Sequence, residues 1–215
     1  MKSIGILGII AVLLGLVSLA RAQTHPDFTG LWRPIGLGRQ ILTVDGQSPP
    51  LLPGVRKAVP DDNEHNSCAA PGTPRIFFEP GSFLIVERPY QALFLFEYQR
   101  LFRRVFMRQL PGEIDPTFMG YSLGHWEGDT LVVETGAFNT ETTLDRAGTP
   151  HSDALQLTER LRLANPTTLI DLMTVEDPKT FVRPWQTRFE FTRQPGMRIE
   201  EDACPDRIAA TPHSG

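Results

Sequence analysis

Cysteine, tryptophan, tyrosine and clustered basic residues are all scarce in this chain, and each scarcity removes a class of explanation. Two cysteines, Cys68 and Cys204, are too few for a miniprotein stapled by several disulfides or for a four-cysteine zinc site. Lys and Arg number 21 against 25 Asp and Glu, a formal net charge of −4, and they form no block that could neutralise a row of phosphates. Nucleic acid is therefore not an expected partner. No glycine-rich loop opens a helical pattern, so no nucleotide cofactor is expected. His-Glu-x-x-His and His-x-His are also missing. Apart from one run at the N-terminus, no apolar segment is long enough to cross a bilayer.

That single run carries the clearest signal. Lys2 precedes apolar residues Ile4 to Leu19, and Ala20-Arg21-Ala22 follows. A basic start, a short apolar centre and a small-x-small step make a secretory signal peptide over residues 1–22, cleaved after Ala22. The alternative is a membrane anchor, but the run stops after about sixteen residues, short of the ~20 that span a bilayer. A periplasmic or secreted location follows, and that compartment lets Cys68 and Cys204 pair. The bond would tie the entrance of the folded domain to its exit. The alternative is a pair of buried thiols.

The remainder divides by pattern. Residues 23–74 are rich in Gly and Pro without a sustained period, apart from a short strand around Asp27 to Trp32. They read as an arm packed on the domain formed by 75–215. From Arg75 onward, short runs rich in Phe, Ile, Val and Leu alternate with turn residues. They are Arg75–Phe78, Ser82–Glu87, Ala92–Tyr98, Phe102–Met107, Tyr121–Trp126, Thr130–Thr135, Leu155–Leu163, Leu169–Val175 and Trp185–Arg193. Glu127-Gly128-Asp129 is a tight hairpin signal. No long amphipathic helix interrupts the series. The expected fold is all-β, an antiparallel meander closing into a lipocalin-like barrel with a ligand-sized interior. A sandwich of two sheets is the alternative.

Period-two alternation then isolates candidate chemistry. Leu155, Leu157, Leu161 and Leu163 share a face with Glu159, so a carboxylate points where the leucines point. Such a group must find a cation or take up a proton, and burial of this kind makes catalytic acids. The bland reading is a structural ion pair. Arg103 and Arg104 face opposite ways, so one of them points inward and is a natural partner for Glu159 or for an anionic ligand. With Gly128-Asp129 as the turn, His125 lies opposite Val132 and Leu123 opposite Glu134. Tyr121, His125 and Glu134 then share one face, a base with an orienting acid if that face is internal and a solvated contact if it is not. A third group, Asp145 to Asp153, collects Arg146, His151 and Asp153 at a strand entrance. His151 is the strongest single candidate for a general base or acid. Ser152 lacks the Gly-x-Ser-x-Gly elbow of a nucleophile. A metal set of His125, His151, Glu134 and Glu159 would require convergence across a closed sheet, and no metal is expected.

The segments Gly120 to Thr135, His151 to Leu155 and Glu176 to Thr180, with Pro74-Arg75-Ile76-Phe77, resemble a family of secreted bacterial proteins of uncharacterised function. Its mark is a Gly-His/Arg-Trp-Glu-Gly-Asp-Thr-Leu-Val-Val hairpin. The resemblance covers most of the chain after the leader and implies no activity. Since Arg also stands at the position of His125 in that family, it shifts weight toward His151 and Glu159. The leading functional expectation is an exported enzyme using acid–base chemistry, of the lyase, isomerase or cyclase class, on an apolar or aromatic compound. His151 and Glu159 would act as base and acid, and Tyr98 or Arg103 would steady a developing anion. The alternative is a non-catalytic, lipocalin-like ligand-binding protein.

Overall fold

The computed structural model describes residues 25–58, 68, 70–202 and 204; the expected leader, residues 1–22, lies outside them. The strands are β1 (Gly30–Ile35), β2 (Phe83–Arg88), β3 (Gln91–Phe96), β4 (Phe102–Phe106), β5 (Tyr121–Glu127), β6 (Thr130–Gly136), β7 (Gln156–Asn165), β8 (Thr168–Glu176) and β9 (Trp185–Arg193). They close into one barrel in sequence order, with β9 pairing back onto β1. Closure removes every exposed sheet edge, as a long run of strands requires.

Two sequence expectations need correction. The sheet is mixed rather than an antiparallel meander, because β4 and β5 run parallel, paired at Val105↔Ser122 and Phe106↔Leu123. The crossover that follows β4 carries Pro111 and Pro116, which have no amide proton to give a ladder. The chain therefore travels back the length of the barrel before β5 begins. Gly120 makes the final turn at φ +67°, where a Cβ would sit 2.8 Å from the Gly136 carbonyl. Second, Arg75–Phe78 is a 3-10 helix and not a strand. Ile76, Phe77 and Phe78 are all buried. A strand would send alternate members of this run outward, whereas one tight turn buries all three.

Alternation sets the inner face. In β9, Trp185, Thr187, Phe189 and Phe191 are buried, while Gln186 and Arg188 are exposed. The β5–β6 hairpin has the expected register, His125↔Val132 and Leu123↔Glu134, around Gly128 at φ +63°. Phenylalanines from β2, β3 and β9 cluster in the interior around Phe77. The Phe77 ring lies 5.1 to 5.9 Å from those of Phe83, Phe96, Phe189 and Phe191. A barrel of about eight strands has an interior that side chains can fill or that can hold one small ligand, and here a cluster of phenylalanines packs into it. The architecture is thus a closed, mixed nine-stranded β-barrel with little helix. The arm contributes more than a covering, since β1 belongs to the barrel wall. Farther along, the amides of Val44, Leu52 and Val182 donate at 2.9 Å to the carbonyls of Gln186, Thr180 and Pro50 respectively. Cys68 and Cys204 are disulfide-bonded across 136 residues, joining the arm to the end of the domain.

Candidate functional site

Three polar sets lie in or on the barrel, and they differ in what they are free to do. The first sits inside the wall. Glu159, on β7 between Leu157 and Leu161, is completely buried and paired with Arg103 of β4, which is 1% exposed. The guanidinium grips both carboxylate oxygens, with Nη1 2.8 Å from Oε1 and Nη2 on Oε2. Its Nε donates to Ser122 Oγ at 3.0 Å, and Nη2 also donates to Thr135 Oγ1 at 2.7 Å. Those two hydroxyls meet each other at 2.9 Å. Burial alone would pull the Arg103 pKa down, but the Glu159 charge and its hydrogen bonds outweigh this and raise it.

Asp171 of β8 completes this set and escaped the sequence reading. It alternates with Leu169, Met173 and Val175, the same signal that exposed Glu159, and it is fully buried. No hydrogen bond of good geometry reaches either of its oxygens. Burial, and then the neighbouring Glu159 charge, push its pKa well above the ordinary 3.8. In its neutral form it can donate to the neighbouring Glu159. The cluster sets one guanidinium against two carboxyls, with its polar atoms sealed from solvent. Such a network specifies the interior; in this arrangement no substrate reaches it.

The second set closes the end of the barrel at which β7 begins. His151, 8% exposed, donates from Nδ1 to the Ser152 carbonyl at 3.1 Å, leaving Nε2 to accept from Thr142 Oγ1 at 2.8 Å. Burial lowers its pKa, more than the Ser152 carbonyl and Asp177 raise it. A neutral ring with both nitrogens occupied suits loop fastening. Asp177 and Asp145 act in the same sense. Asp177 accepts from Ser152 N at 2.6 Å, Ser152 Oγ at 2.7 Å and Thr180 Oγ1 at 2.8 Å. Asp145 accepts from the amides of Ile41, Ala147 and Thr149, each at 2.9 Å, and from Thr149 Oγ1 at 2.6 Å. Arg146 donates to the Phe78 carbonyl at 3.3 Å, and burial lowers its pKa. Asp153 is exposed and bridges to Lys179 at 2.6 Å.

The remaining candidates lie elsewhere. His125 and Glu134 are on the solvent face of the β5–β6 hairpin, and His125 meets Glu127 at 3.2 Å rather than Glu134. Tyr121 lines an outer groove of about 360 Å³ with Leu101, Phe102, Phe106 and Met119. Tyr98 is buried in a short 3-10 turn between β3 and β4. The structure thus brings Glu159 and Arg103 together but does not bring His151, His125 or Glu134 to them. Among the described residues no cluster of three or more His, Cys, Asp and Glu is placed to hold a metal ion.

The third set lines a cavity that solvent reaches. At the hairpin end of the barrel a cavity of about 560 Å³ opens between the β2–β3 and β5–β6 turns and the chain before β1. Ala92, Met107, Trp126 and Leu131 provide an apolar floor. Glu87, which alternates with Phe83 and Ile85, projects into it. One Glu87 oxygen accepts the Phe28 amide at 2.5 Å, and the other lies 3.9 Å from Nδ1 of His25. Burial raises the Glu87 pKa; the Phe28 amide opposes this, Asp27 reinforces it and His25 opposes it weakly. The His25 ring lies parallel to Trp126, at 3.8 Å and 12°. His25 and Glu87 are 62 positions apart in the chain, and no local pattern joins them. Comparison with family models, with curated proteins and with solved structures finds no match.

Proposed function

We propose that this is an exported protein that binds a small molecule with an apolar or aromatic body at the hairpin-end mouth of its barrel. The observation that carries the reading is the mouth cavity itself, of a size that takes small ligands, with a mostly apolar floor and one half-buried carboxyl to orient what enters. The leader expected over residues 1–22 and the resemblance to a secreted family support an extracytoplasmic setting.

A second reading is favoured by one specific feature. Glu87 has its pKa raised by burial and sits beside an imidazole in a cavity that solvent reaches, which is the arrangement of a general acid with an adjacent base. On this reading the bound molecule is also transformed, by a cofactor-independent lyase, isomerase or cyclase step. One experiment separates the two. A metabolite library is screened by Trp126 emission, with Trp126→Phe as the control for signal origin. Binders are then incubated with protein and followed by mass spectrometry. Glu87→Gln should retain binding within about tenfold, because the amide keeps the shape and a hydrogen bond. Should turnover be seen in the wild type, Glu87→Gln should abolish it. Binders whose signal survives Trp126→Phe unchanged would place the site elsewhere and end both readings.

A further inference from the structure

Part of the mouth is occupied by a ring of the chain itself. His25 precedes β1 and folds over the cavity. There its imidazole stacks on Trp126 at 3.8 Å, with Nδ1 3.9 Å from Glu87 Oε2 and 3.1 Å from the Pro26 carbonyl. Phe28 flanks the same indole at 5.0 Å and a 59° tilt. The strap is held from behind. Arg193 donates to the carbonyls of Thr29 at 2.6 Å and Asp27 at 3.2 Å, and Trp32 Nε1 donates to the Phe28 carbonyl at 2.9 Å. The chain at Asp27–Thr29 is thereby fixed to the barrel wall.

We infer that the mouth takes a small planar nitrogen cation, of the imidazolium or guanidinium class, in the place now held by the His25 ring, so that His25 is a built-in competitor for its own site. This rests on the mouth being the binding site. Three properties of the lining converge on that class. A flat indole face accepts a flat ring at van der Waals distance, and its negative quadrupole favours a cation. Glu87 and Asp27 bring two carboxyls to one side of the cavity, against the single guanidinium of Arg88. Glu87 is penalised by burial, and a cation beside it relieves that penalty. A neutral aromatic would gain the stacking but nothing from Glu87.

The test uses His25→Ala with imidazole and guanidinium as probes, tetramethylammonium as a non-planar cation and indole as a neutral ring. Binding is read from Trp126 emission, and a thermal melt shows that each variant is folded. Removing the competing ring should let His25→Ala bind imidazole and guanidinium at least about tenfold more tightly than the wild type does. Tetramethylammonium should bind less well than either, and His25→Ala/Glu87→Gln should lose most of the gain. Planar cations that bind His25→Ala no better than the wild type overturn the inference. If indole still binds at Trp126 in that case, the mouth remains a small-molecule site and only the cation class falls. If neither indole nor the cations bind, the mouth reading falls with it. Folded His25→Ala/Glu87→Gln that binds guanidinium as tightly as His25→Ala overturns the role of charge.

Discussion

At the residue scale the chain separates two kinds of carboxyl. Glu159 and Asp171 are sealed with Arg103, whereas Glu87 faces a cavity. The sealed group has a redundancy that shapes what mutation does. In Glu159→Gln the guanidinium loses its counter-charge, but Asp171 stands ready to give up its proton and replace it. The single change should therefore cost less than Glu159→Gln combined with Asp171→Asn. The double change leaves a buried cation unpaired, at a cost of about 3–5 kcal/mol. Chemical denaturation of both variants checks this; equal costs would remove Asp171 from the cluster's electrostatics. Asp171→Asn alone tests the proton. A folded-state pKa raised above 3.8 means that the native protein keeps a proton the unfolded chain has lost. Its contribution is full below 3.8 and declines as pH rises toward the raised value. Asp171→Asn should lack that decline, with a slope against pH differing from the wild type by one proton. Parallel stability curves for the two proteins over this range would contradict the assignment.

At the element scale the weak place is the β4–β5 seam. β7 and β8 are paired almost from end to end, while β4 and β5 share two residue pairs in parallel. Parallel pairing is the less stable kind, and a short ladder has little to cooperate with. Amide exchange should be fastest, among the strands, along β4 and the start of β5, and slowest in β7 and β8. Uniform protection around the barrel would show that the inward Arg103 grip, which joins β4 to β7 across the interior, compensates for the missing ladder. The loop from Asn139 to Ala154 shows the opposite economy. It has little regular structure, yet Asp145 and Asp177 hold it through buried side-chain acceptors.

At the scale of the whole molecule, export and cross-linking are read together by intact mass of the secreted product before and after reduction. The mature chain should begin at Gln23 and gain two hydrogen atoms on reduction. A mass retaining residues 1–22, or no change on reduction, would contradict one or the other. Replacing Cys68 and Cys204 by Ser should cost roughly 4–5 kcal/mol by the chain-entropy account of so long a loop.

Several features were determined by the sequence alone, because they depend on local order. Period two sets the inner face of β7 and β9, and a two-residue turn leaves the β5–β6 hairpin one register. Glu159 among leucines could be recognised as buried, and one of Arg103 and Arg104 as its partner, since alternation sends the two arginines opposite ways; only the structure chose Arg103. Asp171 carried the same signal between Leu169 and Met173. The direction of a whole face is different. His125 and Glu134 share a side by alternation, but which side meets the core depends on how the sheet curls, and curvature is a property of all nine strands together. Nor does any local rule show that 107–120 turns back to make β5 parallel, or that Ile76, Phe77 and Phe78 coil to plug one end. The meeting of His25, Glu87 and Trp126 was beyond sequence reading for the same reason. They come from three separate stretches of chain, and only closure of the barrel sets them around one mouth.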